Sequence, residues 1–382
     1  MSTSKIVKVH GLGSVGRDIE TKVDTPRGQF TVHTSSNVEL DNSATAWLPS
    51  ALPVAMNSKS KLVLDGTVDD TAYRGACKAR TLLTHWFREL HESEIETDGV
   101  QRSPSGVSGV GCFFSGGVDS YYTVLEELDR ITHLIFVHGF DIETQDDALA
   151  EKAIESARDA AYLLGKDLIV VRTNLRSMSD KMGCDWPRRY VGAALAHIGL
   201  LLSPHVSTVI IPSSHHVDDL MPHGTHPALD PLWSSASVKL EHHGIEATRT
   251  QRVRRISKSD VAMSHLRVCW ENRDGAFNCG RCEKCVRTMI SLRAVGAKCS
   301  TMPAEIPMDS LHNMKLGGKI GRIFARNNIN ELRRSDAPDL GLERELKRAI
   351  RRDIFIFGPR RVIVKSVKDT LRPVVRRLLP AR

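Results

Sequence analysis

The stretch Val110-Gly111-Cys112-Phe113-Phe114-Ser115-Gly116-Gly117-Val118-Asp119-Ser120 decides how the rest of the chain is read. An apolar run ends at a glycine pair, and a helix-forming segment from Ser120 to Leu128 follows. Glycines at that point let the backbone turn tightly and approach a ligand without side-chain hindrance. The first amides of the following helix have no intrahelical acceptor and point at an anion. Ser115 and Ser120 add hydroxyl donors for phosphate oxygens. Asp119 would repel bare phosphate, so it suits a Mg²⁺ ion that bridges phosphate oxygens. A glycine turn capped by Asp119 or Ser120 is the plainer reading. The complete Ser-Gly-Gly-x-Asp-Ser string behind an apolar strand favours phosphate binding instead. No Gly-Lys pair followed by Ser or Thr occurs, so this is not a Walker loop.

Outward from this loop the pattern alternates. Strand-like runs at His133 to His138, Leu168 to Arg172 and Ser207 to Pro212 are separated by helical stretches near Gln145 to Leu164 and Tyr190 to Leu202. In the first of those helices Ile154, Ala157, Ala161 and Leu164 share one face. Strand–helix–strand units in this order predict an α/β fold with a doubly wound parallel sheet. In such sheets ligands gather at the carboxyl ends of the strands, where the Ser-Gly-Gly run sits.

Residues 1–100 read as a small mixed α/β accessory domain. Val7 to Val9, Gln29 to Val32 and Lys61 to Leu64 are its strands, and Asp69 to Phe87 its helix. Residues 101–109 are polar and turn-rich, as a linker would be. His10-Gly11-Leu12-Gly13-Ser14-Val15-Gly16 contains Gly-x-Gly-x-x-Gly, but extended, polar sequence follows where a dinucleotide site needs a helix, so a turn is the better reading. Residues 110–300 hold the main domain, and 301–382 form a basic, partly helical extension. From Lys319 to Arg382 there are 18 Lys or Arg against 7 Asp or Glu, a net of +11 within an overall +8, so the remainder is close to −3. The basic character belongs to the tail, where Arg344, Arg348, Arg351 and Arg352 lie on a helix interrupted later by Gly358-Pro359. RNA or another anionic partner is one expectation for that tail, and a solvated basic face the commoner outcome. No apolar run approaches the roughly 18 to 20 residues that span a bilayer. With no signal-peptide core, cytoplasmic location is the default expectation.

Cys279-Gly280-Arg281-Cys282-Glu283-Lys284-Cys285, with Cys269 ten residues before it, supplies four thiolates. Four cysteines at such gaps suit a closed tetrahedral Zn²⁺ knuckle whose role is structural. A redox pair or an iron–sulfur cluster are the alternatives. Ser213-Ser214-His215-His216-Val217-Asp218-Asp219, through His223 and His226, follows a strand and lies where substrate would be met. Asp230-Pro231-Leu232-Trp233 continues that loop and could close over the substrate.

Phe-Ser-Gly-Gly-Val-Asp-Ser resembles the signature of the PP-loop ATP pyrophosphatases. The run Cys269-Trp270…Asn278-Cys279-Gly280-Arg281-Cys282-Glu283-Lys284-Cys285 resembles the zinc motif of the 7-cyano-7-deazaguanine synthases in that group. The two motifs share that order and cover roughly Val110 to Gly296, about half of the chain. The resemblance implies an adenine-nucleotide alpha-hydrolase-like core that splits ATP into AMP and pyrophosphate. It implies that Ser115, Gly116, Gly117, Val118, Asp119 and Ser120 hold the pyrophosphate and its Mg²⁺. It also implies that backbone near Val137 and His138 meets adenine. Lys258 is similar in position to a lysine after the last core strand of those synthases, and would stabilise the leaving pyrophosphate.

The resulting expectation is an ATP-dependent ligase that adenylates a carboxylate or carbonyl oxygen of a small molecule. Ammonia or another nitrogen nucleophile then attacks. No glutaminase signature is present at Met1-Ser2, so ammonia would come free or from a donating partner. A homodimer is expected by the same resemblance. A tRNA-thiolating enzyme is the first alternative and would need a sulfur-carrying cysteine, with Cys184 and Cys77 as candidates. A catalytically inactive nucleotide- or RNA-binding module is the second.

Overall fold

Residues 5–102, 107–335 and 338–357 are described by a computed structural model. Ile6–His10 (β1), Ser14–Thr25 (β2) and Gly28–Asn42 (β3) pair as an antiparallel meander. Gly11 and Gly13 turn the chain between β1 and β2 at φ of +72° and +89°. A strand follows them rather than a helix, which leaves no dinucleotide crossover there. Ala44–Ser58 (α1), Lys61–Asp69 (β4), Asp70–Trp86 (α2) and Ile95–Gln101 (β5) complete this part, with β1, β4 and β5 parallel. The strands read at Val7, Gln29 and Lys61 fall in β1, β3 and β4, and the helix in α2. The helix α1 was not legible. It is buried along almost its whole length and carries Pro49 and Pro53 inside it, so it shows neither an amphipathic stripe nor a clean propensity signal.

The second part runs Val110–Phe113 (β6), Val118–Glu126 (α3), His133–His138 (β7), Asp147–Leu163 (α4) and Asp167–Thr173 (β8). It continues through Leu175–Met182 (α5), Val191–Leu201 (α6), Thr208–Pro212 (β9) and Lys239–His243 (β10). β10, β9, β6, β7 and β8 are parallel neighbours in that order. The sheet does not stop at β8. Its far edge pairs antiparallel with β3, Thr34 opposite Thr173, and the two threonine hydroxyls lie 2.9 Å apart. All ten strands therefore form one mostly parallel sheet, ordered β10-β9-β6-β7-β8-β3-β2-β1-β4-β5.

Strand side chains alternate between two cores. Phe113, Ile135, Val209 and Ile211 face the layer built by α1, α5 and α6. Cys112, Phe114, Leu134 and Ile210 face the layer of α3 and α4. That second layer is completed by Arg249–Ile256 (α7), Asp260–His265 (α8) and Glu283–Ala294 (α9). The extension adds Met308–His312 (α10), Lys319–Arg334 (α11) and Leu340–Arg352 (α12). These helices share an apolar cluster with the outer face of α9, including Val286, Ile290, Ile329 and Leu346. The arginines read at 344, 348, 351 and 352 lie on α12, whereas Gly358-Pro359 and the rest of the tail fall outside the described residues. Among the described residues no helix is long and apolar enough to cross a membrane.

The two halves also meet where α1 crosses α6. His197 on α6 donates from Nδ1 to the Ala46 carbonyl at 2.8 Å and packs edge-on to Trp47 at 4.6 Å between ring centroids. Complete burial lowers its imidazole from the usual 6.5 to about 4. The unfolded chain takes up this proton first, so stability is full above pH 6.5 and declines as pH falls towards 4, by up to about 3 kcal/mol. Urea unfolding between pH 7 and pH 4.5 is expected to show this decline, and His197→Asn, which keeps a donor but does not titrate, to flatten it. An equal decline in both proteins would place the acid sensitivity elsewhere.

Candidate functional site

Chain order places the loop at the reversal of the sheet. From β6 the strands run outward one way to β7 and β8, then return to the other side of β6 as β9 and β10. That reversal opens a crevice at the carboxyl ends of the strands. A cleft of about 460 Å³ occupies it, lined by Ser115, Gly117, Val118, Asp119 and Ser120 at one end.

The loop is shaped by Gly116, at φ +73°. Its carbonyl accepts the Arg267 amide at 2.8 Å, which docks the turn against the chain leading to Cys269. Gly117 is the N-cap of α3 and has no side chain to satisfy the first amides. The N–H groups of Val118, Asp119 and Ser120 thus have no intrahelical acceptor, and all three residues line the cleft. The Ser120 hydroxyl donates to the Gly117 carbonyl at 3.0 Å, and Ser115 is exposed.

Positive charge surrounds this helix end. Arg249, Arg267, Lys284 and Arg287 all line the same cleft, and the three arginines are less than a tenth exposed. Arg249 Nη2 donates to Thr288 Oγ1 at 3.2 Å, and Arg267 Nη2 to Asn272 Oδ1 at 2.7 Å. Acidic partners sit at the long end of ion-pair distance: Arg249 lies 3.5 Å from Asp119, and Arg287 3.5 Å from Glu283. Burial and then the Arg287 charge pull the Arg249 guanidinium down to about 10, still cationic at neutral pH. The Nε atoms of Arg249 and Arg267 are buried without a hydrogen-bond partner.

Asp119 is not a free carboxylate. Its Oδ1 accepts from Arg252 Nη1 at 2.7 Å, and Oδ2 has the longer Arg249 contact. Burial alone would raise this carboxyl, but the Arg252 and Arg249 charges outweigh it and hold it below its usual value. Arg252 itself is 1% exposed. It also donates to the carbonyls of Ser213 at 2.5 Å, Gly244 at 2.7 Å and His215 at 3.1 Å. One guanidinium therefore ties the start of α3 to the segments leaving β9 and β10.

The sequence-read residues separate as follows. Ser115, Gly117, Val118, Asp119, Ser120 and Val137 line the cleft. Gly116 shapes the loop from behind. His138 does not line it: its ring is 2% exposed and its Nε2 meets the Glu143 carbonyl at 2.9 Å. Lys258 lies outside the cleft, exposed at the end of α7 rather than directly after the last strand, because β10 ends at His243 and a whole helix intervenes. Of the histidine loop, His215 and His223 line the cleft while His216 and His226 do not. Asp230 and Trp233 are buried, so that segment forms wall rather than lid. Asp230 accepts from His242 Nδ1 at 2.7 Å.

The four cysteines do come together. Sulfurs of Cys269, Cys279, Cys282 and Cys285 lie within 4.8 Å of one another, close enough to hold a metal ion such as zinc. Cys269 and Cys282 sulfurs are 3.9 Å apart, against roughly 3.8 Å across a tetrahedral site with bonds near 2.3 Å. The Cys282 amide points at Cys279 sulfur at 3.2 Å, and the Cys285 amide at Cys282 sulfur at 3.4 Å. Gly280 makes this turn at φ +66°, and a Cβ there would come within 2.6 Å of Pro303.

The cation set escaped sequence reading, although the signal was there. Arg267 sits two residues before Cys269, Lys284 between Cys282 and Cys285, and Arg287 two residues after Cys285. Three of the four cations are thus spaced directly off sulfur ligands, on the face that the knuckle turns to the cleft.

Comparison with protein-family models, with curated proteins and with solved structures finds no match in any of the three. The cluster makes its own forecast. Purified protein supplied with cobalt(II) is expected to show the absorption of a tetrahedral thiolate site at about one ion per chain, and Cys282→Ser to lose it. An octahedral spectrum, or binding unaffected by that change, would contradict four-sulfur ligation.

Proposed function

We propose that this chain is an ATP-dependent adenylating enzyme of the PP-loop kind, which splits ATP into AMP and pyrophosphate to activate a carboxylate or carbonyl oxygen. The observation that carries the reading is the convergence of three unpartnered helix amides and four cations on one end of a cleft at the sheet's reversal. A buried guanidinium needs a counter-charge, and the ion pairs of Arg249 with Asp119 and of Arg287 with Glu283 are long enough, at 3.5 Å, for an entering anion to serve as a closer partner. A polyphosphate is the anion whose length and charge match such a row of donors.

In this account the acceptor oxygen attacks the α-phosphorus, a new P–O bond forms, and the bond to the β-phosphate oxygen breaks. Pyrophosphate leaves with the bond's electron pair. Charge accumulating on it is met by the amides of residues 118–120 and by Arg249, Lys284 and Arg287, fixed before the reaction begins. Magnesium bound near Asp119 would neutralise further phosphate charge. Because Phe114 donates to the Ile135 carbonyl at 2.8 Å, Ile135 turns its peptide groups towards β6. Val137, two residues on, turns the same way, beyond the last strand residue of β6. In this account its N–H and C=O would meet the edge of a nucleobase.

The acceptor would occupy the part of the cleft lined by Phe140, Trp186, Leu195, Ile211 and the His215–His223 pair. Burial drives the His223 imidazole down to about 4 and lowers that of His215, so both are neutral at pH 7. The adenylate is then open to a nitrogen nucleophile. A sulfur-carrying role finds less support. Cys184 is buried against the Pro53 carbonyl with its thiol pushed up to about 12, and Cys77 sits on α2. Neither lines the cleft. Zinc is the ion we assign to the cysteine cluster, in a structural role.

With Mg-ATP, ammonium and a fractionated metabolite extract, AMP and pyrophosphate are expected in equal amounts. Gly116→Val, which cannot hold the left-handed turn, and Arg287→Met are each expected to cut turnover by roughly 10²-fold. ADP and phosphate as products would sink the adenylation reading. No turnover with any fraction would favour a nucleotide-binding module.

A further inference from the structure

The C-terminal extension could be an appendage, but it reaches into the phosphate end of the cleft. Phe324, on α11, lines the cleft, alone among the described residues beyond 300. The Arg287 guanidinium sits over its ring at 4.2 Å from the centroid, and that of Arg249 at 6.0 Å. These are the two arginines whose acidic contacts are long, 3.5 Å in each case. They are also close enough to each other that the Arg287 charge lowers the Arg249 guanidinium.

Two like charges held side by side need something between them. Each has a carboxylate at 3.5 Å, Asp119 for Arg249 and Glu283 for Arg287, and both also meet one aromatic face. An aromatic face attracts both guanidiniums through its quadrupole and leaves their net charge intact. The helix that carries the ring is anchored to both arginine-bearing helices. Asn328 on α11 donates to the Arg287 carbonyl at 3.2 Å and accepts from Ser291 at 2.7 Å, both on α9. Glu331 on α11 pairs with Arg254 on α7.

We infer that the C-terminal extension completes the polyphosphate site, with Phe324 as a positioning residue that holds Arg287 and Arg249 towards the ligand. The inference rests on the anion-binding reading of the cleft above, and goes beyond it in making α11 part of the site.

The test uses the full chain and inorganic pyrophosphate with magnesium, with affinity measured by calorimetry. Phe324→Leu keeps apolar volume but removes the π face, and Phe324→Trp keeps the face. Leucine is expected to weaken binding on the order of ten-fold, and tryptophan to stay within about three-fold of wild type. Melting temperature and metal content should be unchanged in the leucine variant; should it not fold, Phe324→Met serves the same purpose. In an Arg287→Met background the leucine change is expected to add little further loss. Leucine binding as tightly as wild type would overturn the role of Phe324 alone. Wild type that does not bind pyrophosphate would overturn the anion site and this inference together.

Discussion

Buried positive charge around the start of α3, paired at 3.5 Å with Asp119 and Glu283, governs this structure. Taking a guanidinium from water into a protein interior costs several kcal/mol unless it is paired and hydrogen-bonded. Arg249, Arg267 and Arg287 are all buried around one helix end, with Lys284 beside them. Asp119, the acid nearest the loop, gives its shorter contact to Arg252. A fold that retains such an arrangement concentrates field on a small volume, and an anion entering it recovers the desolvation that folding imposed.

Two devices hold the charges in place. Arg252 is the polar one, its two Nη atoms hydrogen-bonded to Asp119 and to carbonyls leaving β9 and β10, so it fixes the mouth of the sheet around the start of α3. The sulfur cluster is the other. It binds the segment before Cys269 to the start of α9, and the Arg267 amide reaches from it to the Gly116 carbonyl. The loop, the knuckle and the arginines thus form one connected unit, in which Gly116 at positive φ is the hinge point that only glycine occupies without strain.

Much of this frame was legible in the chain because short-range rules decide it. The alternation from Val110 to Pro212 gave most strands and helices within a few residues of their places, since β6, β7 and β9 are apolar runs and α4 has an apolar stripe, whereas the short α5 was not legible. Cysteine spacing led to the right four sulfurs. What failed was long-range. Nothing local says that β3 pairs with β8 to carry the first hundred residues into the same sheet, or that α1, buried all round and holding two prolines, is a helix. The backbone near Val137 and His138 was read by resemblance, and the His138 ring, of which that reading said nothing, turns to the Glu143 carbonyl. Lys258 was placed by resemblance, yet a helix carries it out of the cleft. Arginines are the hardest to assign from sequence, because the same residue serves a solvated face or a buried site and only packing distinguishes them.

The central claim is that the sulfur cluster positions the cations of the proposed phosphate site. The most direct measurement is pyrophosphate affinity by calorimetry before and after removing the cluster's metal, with far-ultraviolet circular dichroism confirming that the sheet persists. The account expects affinity to fall by at least about ten-fold on metal removal and to return when zinc is restored. Affinity unchanged in folded, metal-free protein would show that the arginines are held by packing alone, and would contradict the claim.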